Sequence, residues 1–495
     1  MTDVVEIRRG AYHDSVSLMQ ASRTLQQTPG VTAALVAMAT ELNVEMLTGM
    51  GFDAPADVGP NDLLVAIRAD DDAAHAAGLS ALTEALRARS SGTEGGLTGG
   101  QPARTIGSAA ARSGATLAMV SVPGAHAFVE AMDALEAGMS VLVFSDGVPV
   151  DQEVLLKDEA ARRDLLVMGP DCGTAIVGGV GLGFANVVRR GAVGIVAASG
   201  TGAQQLCCLL DAADVGVSHL LGVGGRDLSA DVAGRSTLQA LAALAADPAT
   251  EVVVVVSKPP AAAVADQIRA FADTIDKPVV FGLLGTGRPD LTAVATEVLR
   301  AVGADVPSSW PEWPAGKPQQ PRPGSLRGLF CGGTLCDEAM IIASSTLGPI
   351  ASNIPLDPAW ALGSDLRSSG HLMIDFGDDA LTAGRPHPMI DPTLRTERLQ
   401  AEAAEQATAV VLLDVVLGHG AAADPAGDLA PAIAAARRRA ADDGRDLAVV
   451  VSLCGCADDP QGLEAQAAAL AGAGAHVFAS NASAARYAVS LVSPA

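Results

Sequence analysis

Two stretches of small residues have the types and spacing to do chemistry. In Ala197-Ala198-Ser199-Gly200-Thr201-Gly202-Ala203-Gln204-Gln205 an apolar run enters a helical pattern through Ser199, Gly200, Thr201 and Gly202. Leu329-Phe330-Cys331-Gly332-Gly333-Thr334-Leu335-Cys336 repeats the arrangement, with Gly332, Gly333 and Thr334 at the turn. The first N–H groups of a helix have no intrahelical partner and sit at the positive end of its dipole. A helix start therefore binds anions, and hydroxyls at Ser199 and Thr201 add donors. A phosphate or a carboxylate fits such a turn, although an ordinary N-cap accounts for the same residues. Two starts facing each other would hold a doubly charged phosphate strongly, where one alone would not. Neither stretch, nor any other in the chain, matches G-x-x-x-x-G-K-[ST], so a P-loop nucleotide site is not expected.

Three side chains are candidates to work beside these turns. Lys258 closely follows Val252–Val256, after Ser257, and is held by Pro259-Pro260, where it could bind phosphate as a point charge or neutralise a carbonyl oxyanion. A solvated strand-end lysine is the alternative. Arg226, after Gly224-Gly225, could pair with a substrate carboxylate, with an ion pair to Asp227 as the competing reading. His387 lies in Gly384-Arg385-Pro386-His387-Pro388-Met389-Ile390-Asp391-Pro392 and could act as a general base or donate to a carbonyl oxygen. His371 and His419 read as structural. The spacings Cys454-Gly455-Cys456 and Cys331 to Cys336 are poor for tetrahedral zinc, and the cysteines read as small buried apolar groups. Asp70-Asp71-Asp72 and Asp378-Asp379 read as solvated caps rather than Mg²⁺ ligands, so no metal and no required cofactor are expected.

These residues must be positioned by the elements around them. Short apolar strands at Leu117–Val122, Ser140–Phe144, Leu165–Met168, Val193–Ala197, Leu220–Val223, Val252–Val256 and Val279–Phe281 alternate with helical patterns, and glycines follow the strands. That pattern predicts a doubly wound parallel sheet with ligands at its carboxyl edge. A later block repeats the style at Leu329-Phe330, His371–Asp375, Val410–Asp414, Ala448–Ser452 and His476–Ala479. Gly178-Gly179-Val180-Gly181-Leu182-Gly183 reads as a hairpin. Residues 1–88 form a small α/β sandwich, with strands at Val4–Arg8, Val31–Met38 and Leu63–Arg68. The Gly-rich 89–107 and the Pro-rich 303–325 read as linkers. The expected division is 1–88, then 108–190 and 191–302 as two α/β domains, then 326–495 as a second ligand-binding α/β domain.

The chain has 495 residues, 49% of them hydrophobic, and a net charge of −24. The length suggests about three or four domains, and the negative charge disfavours nucleic acid and anionic membranes, which need clustered cations. No long apolar run and no signal-peptide pattern occurs at the start, and seven cysteines are few for the length. A cytoplasmic location is the expectation.

From about Ala118 to Leu284 the chain resembles the α subunit of succinyl-CoA synthetase. The resemblance rests on Gly147-Val148-Pro149, Gly169-Pro170-Asp171-Cys172, Ser199-Gly200-Thr201, Gly222-Val223-Gly224-Gly225-Arg226-Asp227 and Asp247-Pro248-Ala249-Thr250-Glu251. From Arg327 onward it is similar to the ligase domain of the β subunit. With Gly332-Gly333-Thr334-Leu335-Cys336-Asp337-Glu338-Ala339 and His387-Pro388-Met389-Ile390-Asp391-Pro392, the whole is identified as resembling the FdrA family over nearly its full length. The resemblance implies that the two helix starts point at one shared phosphate.

The departures from the synthetases carry as much weight. Where they place a phosphoryl-accepting histidine, this chain reads Phe281-Gly282-Leu283-Leu284-Gly285-Thr286-Gly287-Arg288-Pro289-Asp290. Where they place its orienting glutamate, it reads Ser257-Lys258-Pro259-Pro260. The ATP-grasp domain has no counterpart. FdrA-type proteins are similar to a subunit of oxamate carbamoyltransferase in allantoin use, which implies carbamoyl phosphate and oxamate, or a similar small acid or amide, as substrates. Direct attack on carbamoyl phosphate needs positioning and charge stabilisation rather than a covalent nucleophile. Companion subunits, an oligomer and a vestigial CoA site around Gly147–Pro149 and Asp171-Cys172 belong to the same expectation. An acyl-CoA synthetase and a non-catalytic regulatory subunit are the alternatives.

Overall fold

A computed structural model describes residues 2–9, 11, 15–26, 28–53, 58–59, 62–90, 103–316, 319–382 and 386–493. Most of the expected first linker, together with His13 and Arg385, lies outside the described residues. Two compact units are present, Met1–Pro102 with Ala380–Pro386, and Ala103–Asp379 with His387–Ala495.

The first unit contains β1 (Thr2–Arg8), α1 (Ser15–Gln26), β2 (Val31–Met38), α2 (Glu41–Gly49), β3 (Leu63–Ala69) and α3 (Asp72–Ser90). The strands form an antiparallel sheet in the order β1-β3-β2, with Thr2 opposite Ala69 and Met38 opposite Leu63. Successive side chains of a strand point to opposite faces. Leu63, Val65 and Ile67 accordingly pack with Leu18 and Leu25 of α1 and Leu82 of α3, whereas Leu64 and Ala66 pack with Leu47 of α2 and Phe52. Both faces are covered, which makes the expected α/β sandwich.

The second unit begins with α4 (Ile106–Ser113) and a parallel three-stranded sheet of β4 (Leu117–Val120), β5 (Ser140–Val143) and β6 (Val167–Met168), flanked by α5 (Gly124–Glu136) and α6 (Val150–Arg162). Next come β7 (Thr174–Val177), β8 (Val180–Gly183), β9 (Arg190–Ala198), α7 (Gly200–Ala212), β10 (Val217–Gly222), α8 (Arg235–Ala246), β11 (Val252–Ser257), α9 (Ala262–Ala272), β12 (Val279–Leu283) and α10 (Leu291–Ala301). Their sheet has the order β12-β11-β9-β10-β7-β8. Its first four strands are parallel, and the antiparallel hairpin β7–β8, turned at Gly178-Gly179, closes the edge. The expected domain boundary at 190 therefore separates β7 and β8 from the sheet they complete. The reason is register, since Ile176 pairs with Leu220 of β10 and not with the sheet of β4, β5 and β6.

The remaining chain supplies β13 (Glu312–Trp313), β14 (Arg322–Pro323), β15 (Ser325–Phe330), α11 (Gly333–Leu347), β16 (Leu372–Asp375), α12 (Asp379–Thr382), α13 (Thr393–Ala404), β17 (Thr408–Val416), α14 (Pro425–Asp442), β18 (Ala448–Cys454), α15 (Leu463–Gly472), β19 (Ala475–Phe478), α16 (Asn481–Ser490) and β20 (Val492–Ser493). These strands form a second six-stranded sheet in the order β13-β19-β18-β17-β15-β16, parallel apart from β13. Residues expected as a free Pro-rich spacer are pinned instead: β13 pairs with β19, β14 with β20, Trp313 Nε1 donates to Glu464, and Arg322 meets Asp446. A single apolar core holds Leu206 and Leu210 of α7 together with Leu335 and Met340 of α11. The two six-stranded sheets are thereby locked into one body, with the carboxyl ends of β9, β11, β15 and β16 leading to the same place. No helix among the described residues is long and apolar enough to cross a membrane.

Candidate functional site

The two small-residue turns meet. Ser199 caps α7, its Oγ accepting from the Gly202 N–H at 3.0 Å, and the same oxygen is hydrogen-bonded to Thr334 Oγ1 of α11 at 2.6 Å. Both hydroxyls are buried. The Ser199 hydroxyl thus joins the two helix starts, and whichever of the two hydroxyls accepts in this bond keeps its own proton to donate. Glycine permits the close approach of the helix starts. A Cβ on Gly202 would lie 2.8 Å from Thr334 Cγ2, and one on Gly332 would lie 2.9 Å from Thr201. Gly200, by contrast, meets only Thr174 Oγ1 at 3.3 Å.

The amides decide what the turns can bind. Asp414 of β17, fully buried, accepts from Cys331 N at 2.7 Å and Gly332 N at 2.8 Å and pairs with Arg395 at 3.0 Å, which holds the loop before α11 in shape. Ala203 N and Cys336 N already bond to the carbonyls of Ser199 and Gly332. Gly200 and Thr201 on α7, and Gly333, Thr334 and Leu335 on α11, keep the N–H groups that helix geometry leaves over. Two positive helix ends converge on one point.

Lys258, the residue after β11, reaches this point. Its Nζ would stand 3.0 Å from a Cβ built on Gly333, and Asp375 Oδ2 from the end of β16 would stand 2.6 Å from the same atom. Among the described residues Lys258 makes no ion pair within 4.0 Å and no side-chain hydrogen bond. It is a half-buried cation held between acids without being consumed by any of them. Burial pushes the Asp375 carboxyl up to about 7, against the pull of Lys258 and of the Gly377 N–H, and burial likewise raises Asp337, one turn into α11, to about 6.

His387 joins the same cluster. Its Nε2 and Asp375 Oδ1 would lie 2.8 and 3.1 Å from a Cβ on Gly377, and its ring packs against Phe184 at 5.6 Å. Nδ1 accepts from Met389 N at 3.3 Å, which leaves the ring proton on Nε2. Burial, reinforced by the Arg395 charge, drives His387 down to about 4. A base that weak is mismatched to neutral pH. Of the two expected roles, donation from Nε2 suits this geometry and general base does not.

Arg226 departs from expectation. It donates to the Val148 carbonyl at 2.7 Å and pairs with Glu153 at 3.0 Å, not with Asp227. Asp227 instead belongs to Lys157, a fully buried lysine that also pairs with Glu153 and donates to the Val223 carbonyl. The guanidinium is engaged in a network tying α6 to the turn after β10, where a bound carboxylate would have to compete with Glu153. Cys172 is buried, and burial lifts its thiol to about 12. Cys207, Cys208, Cys331 and Cys336 are raised well above the ordinary range by the same cause, so all are poor nucleophiles. Sequence reading missed Asp375, Asp337 and Asp414. For Asp375 and Asp414 the signal was an acid ending an apolar run, and Asp337 lies within the first turns of α11.

Asp375 makes a pH prediction. Its folded pKa lies above the ordinary 3.8, so the folded state holds the extra proton and the carboxyl costs progressively more stability as pH rises from about 4 to 7. Asp375→Asn is expected to raise the melting temperature more at pH 8 than at pH 5, by on the order of 1 kcal/mol of stability. Thermal unfolding of both proteins at the two pH values checks this, and an equal or reversed effect counts against the assigned burial cost.

Comparison with known proteins follows the same division of the chain. Residues 1–102 match a family model described as "AllF, heavy metal-associated domain", and residues 329–491 match one described as "CoA-ligase". An uncharacterised protein of Escherichia coli, YahF, is 39% identical over 96% of this chain and 95% of its own length. The α subunit of an ADP-forming succinate–CoA ligase from Aquifex aeolicus is 26% identical over 37% of this chain, which spans 61% of that subunit. The α subunit of a malate–CoA ligase from Methylorubrum extorquens is 25% identical over 41% of the chain and 75% of the subunit. A solved acetyl-coenzyme A synthetase of Candidatus Korarchaeum cryptofilum, in complex with phosphate and ADP, aligns with 80% of the chain and 86% of its own, at 16% identity and a TM-score of 0.31.

The first family description names a heavy metal, and the residues do not fit one. Residues 1–102 contain no cysteine, and their histidines are His75 and the undescribed His13. Among the described residues no group of three His, Cys, Asp or Glu side chains is placed to hold an ion.

Proposed function

The chain belongs to the family of Escherichia coli YahF, and from that premise we propose that it transfers an acyl group from an acyl phosphate seated between the starts of α7 and α11. The observation that carries this reading is the clasp of Ser199 on Thr334 with Lys258 beside it: two helix starts meet next to a cation that, among the described residues, makes no ion pair and no side-chain hydrogen bond. The CoA-ligase match and the two ligase subunits support acyl-phosphate chemistry of the CoA-ligase kind. Residues 281–290 hold no histidine and Ser257 stands at the end of β11, so the transfer is direct and leaves no phosphoenzyme. Lys258 neutralises the phosphate, and the helix amides take up the charge that grows on it as it leaves.

Two acceptors suit this reading. A CoA thiol, giving an acyl-CoA synthetase, is the one that the names of the relatives support. An amide nitrogen, with carbamoyl phosphate as donor and oxamate or a similar small amide as acceptor, is the finer FdrA-type reading. It is favoured by the missing histidine and glutamate. The word "subunit" in the ligase names supports work alongside a companion chain.

The test supplies the full chain, alone and with any chains that copurify, with carbamoyl phosphate plus oxamate, and separately with ATP, CoA and small dicarboxylic acids. Phosphate release that needs the amide selects carbamoyl transfer, while ADP release that needs CoA selects the synthetase. Radiolabelled ATP is expected to leave no phosphate on the protein. A stable phosphoprotein, or no anion binding at all, overturns the direct-transfer reading.

A further inference from the structure

His387 is too weak a base for neutral pH, yet the attacking group must lose a proton, so the acid–base role belongs elsewhere in the cluster. Asp375 is 4% exposed and rigidly set: its backbone N–H donates to Asn353 Oδ1 at 3.0 Å, and Asn353 Nδ2 donates to its carbonyl at 2.9 Å. Its Oδ1 accepts from Gly377 N at 2.9 Å. Its Oδ2 has no hydrogen-bond partner among the described residues and is aimed at Gly333, the first residue of α11, across from the Lys258 ammonium. On a residue otherwise buried, that oxygen is left open toward the place where the two helix starts meet, free to act on a bound molecule. The charged and titratable groups around it are Lys258 from the end of β11, Asp414 from β17, Asp378 on its own loop, the thiols of Cys331 and Cys336, and His387 beyond Gly377.

Resting on the acyl-transfer reading, we propose that Asp375 is the proton carrier of the reaction, its Oδ2 accepting the proton of the acceptor N–H or S–H and returning it to the departing phosphate. The bond formed joins the acceptor nitrogen or sulfur to the acyl carbon. The bond broken joins that carbon to the bridging phosphate oxygen, which keeps the electron pair. One proton passes from acceptor to Asp375 to phosphate, so the carboxylate is regenerated and no oxidant or reductant enters. A dianion arriving beside this carboxylate also raises its proton affinity, so anion binding and proton uptake are coupled.

The coupling is measurable without turnover. Calorimetric titration of the full chain with sulfate, which takes up no proton near neutrality, is run at pH 7 in buffers of different ionisation enthalpy. With the carboxyl near about 7, the wild-type protein is expected to take up about half a proton per anion, and Asp375→Asn markedly less, the remainder coming from Asp337 and Asp171, which also feel Lys258. The wild-type affinity is expected to fall up to about tenfold per pH unit above 7. Asp375→Asn is expected to lower kcat roughly 10²- to 10⁴-fold, the usual contribution of a general acid–base group. Equal proton uptake in the variant, a flat wild-type affinity between pH 7 and 9, or undiminished turnover overturns the role of Asp375 and leaves the acyl-transfer reading standing. A wild-type protein that binds neither sulfate nor an acyl phosphate overturns the reading itself.

Discussion

Lys258→Met is expected to cut turnover by roughly 10²- to 10³-fold, and to weaken binding of sulfate or an acyl phosphate, while the protein stays folded. The asymmetry follows from what the ammonium touches. It makes no ion pair within 4.0 Å and no side-chain hydrogen bond among the described residues, so its loss breaks no structural contact, and the methionine keeps the apolar stem. The stability change should stay within about 1 kcal/mol, the scale of the lost attraction to Asp375 and Asp337. The anion, by contrast, loses the cation nearest to it in a site walled by carboxyls. Steady-state kinetics beside a thermal melt decides the matter. A variant that melts early without losing rate would make Lys258 a structural strand-end residue, and one that keeps both rate and affinity would remove it from the site.

Asp414→Ala should be the more damaging change to the fold. The carboxylate is fully buried, holds the amides of Cys331 and Gly332, and neutralises Arg395, itself 2% exposed. Alanine would leave an uncompensated buried guanidinium and two orphaned amides, for which about 3–5 kcal/mol of lost stability is expected. Because the two amides belong to the loop that aims α11, anion binding should fail along with stability, and Asp414→Asn should recover part of both. Denaturant unfolding gives the number. A loss below about 1 kcal/mol would mean that the loop is held by packing alone.

These two residues show the limits of sequence reading from opposite sides. Lys258 was legible because it stands one residue beyond a run of five valines and just before two prolines, a local pattern that puts a charge at the carboxyl edge of a buried strand. Asp414 was not, since an acid closing an apolar strand looks the same whether it is solvated or clamps a loop 82 residues away. Arg226 was misjudged for the same reason. Its immediate neighbour Asp227 was the obvious partner by sequence, but Lys157 takes Asp227 and Glu153 takes Arg226.

By itself, then, the sequence determined the local events: the alternation that buries both faces of the first sheet, the apolar strands of the others, and the glycine and hydroxyl turns at which α7 and α11 begin. Each depends on residues a few positions apart, through periodicity, capping and backbone freedom. Tertiary structure alone decided which turns meet. Ser199 and Thr334 are 135 residues apart, and their contact exists because two sheets share one core and the glycines let their helix starts touch. It also decided which charges were neutralised and which were left free. Ion pairs form by distance in space, and burial sets the proton affinity of what remains. This is why Asp375, unremarkable as the last residue of a strand, became the carboxyl that faces Lys258 across Gly333.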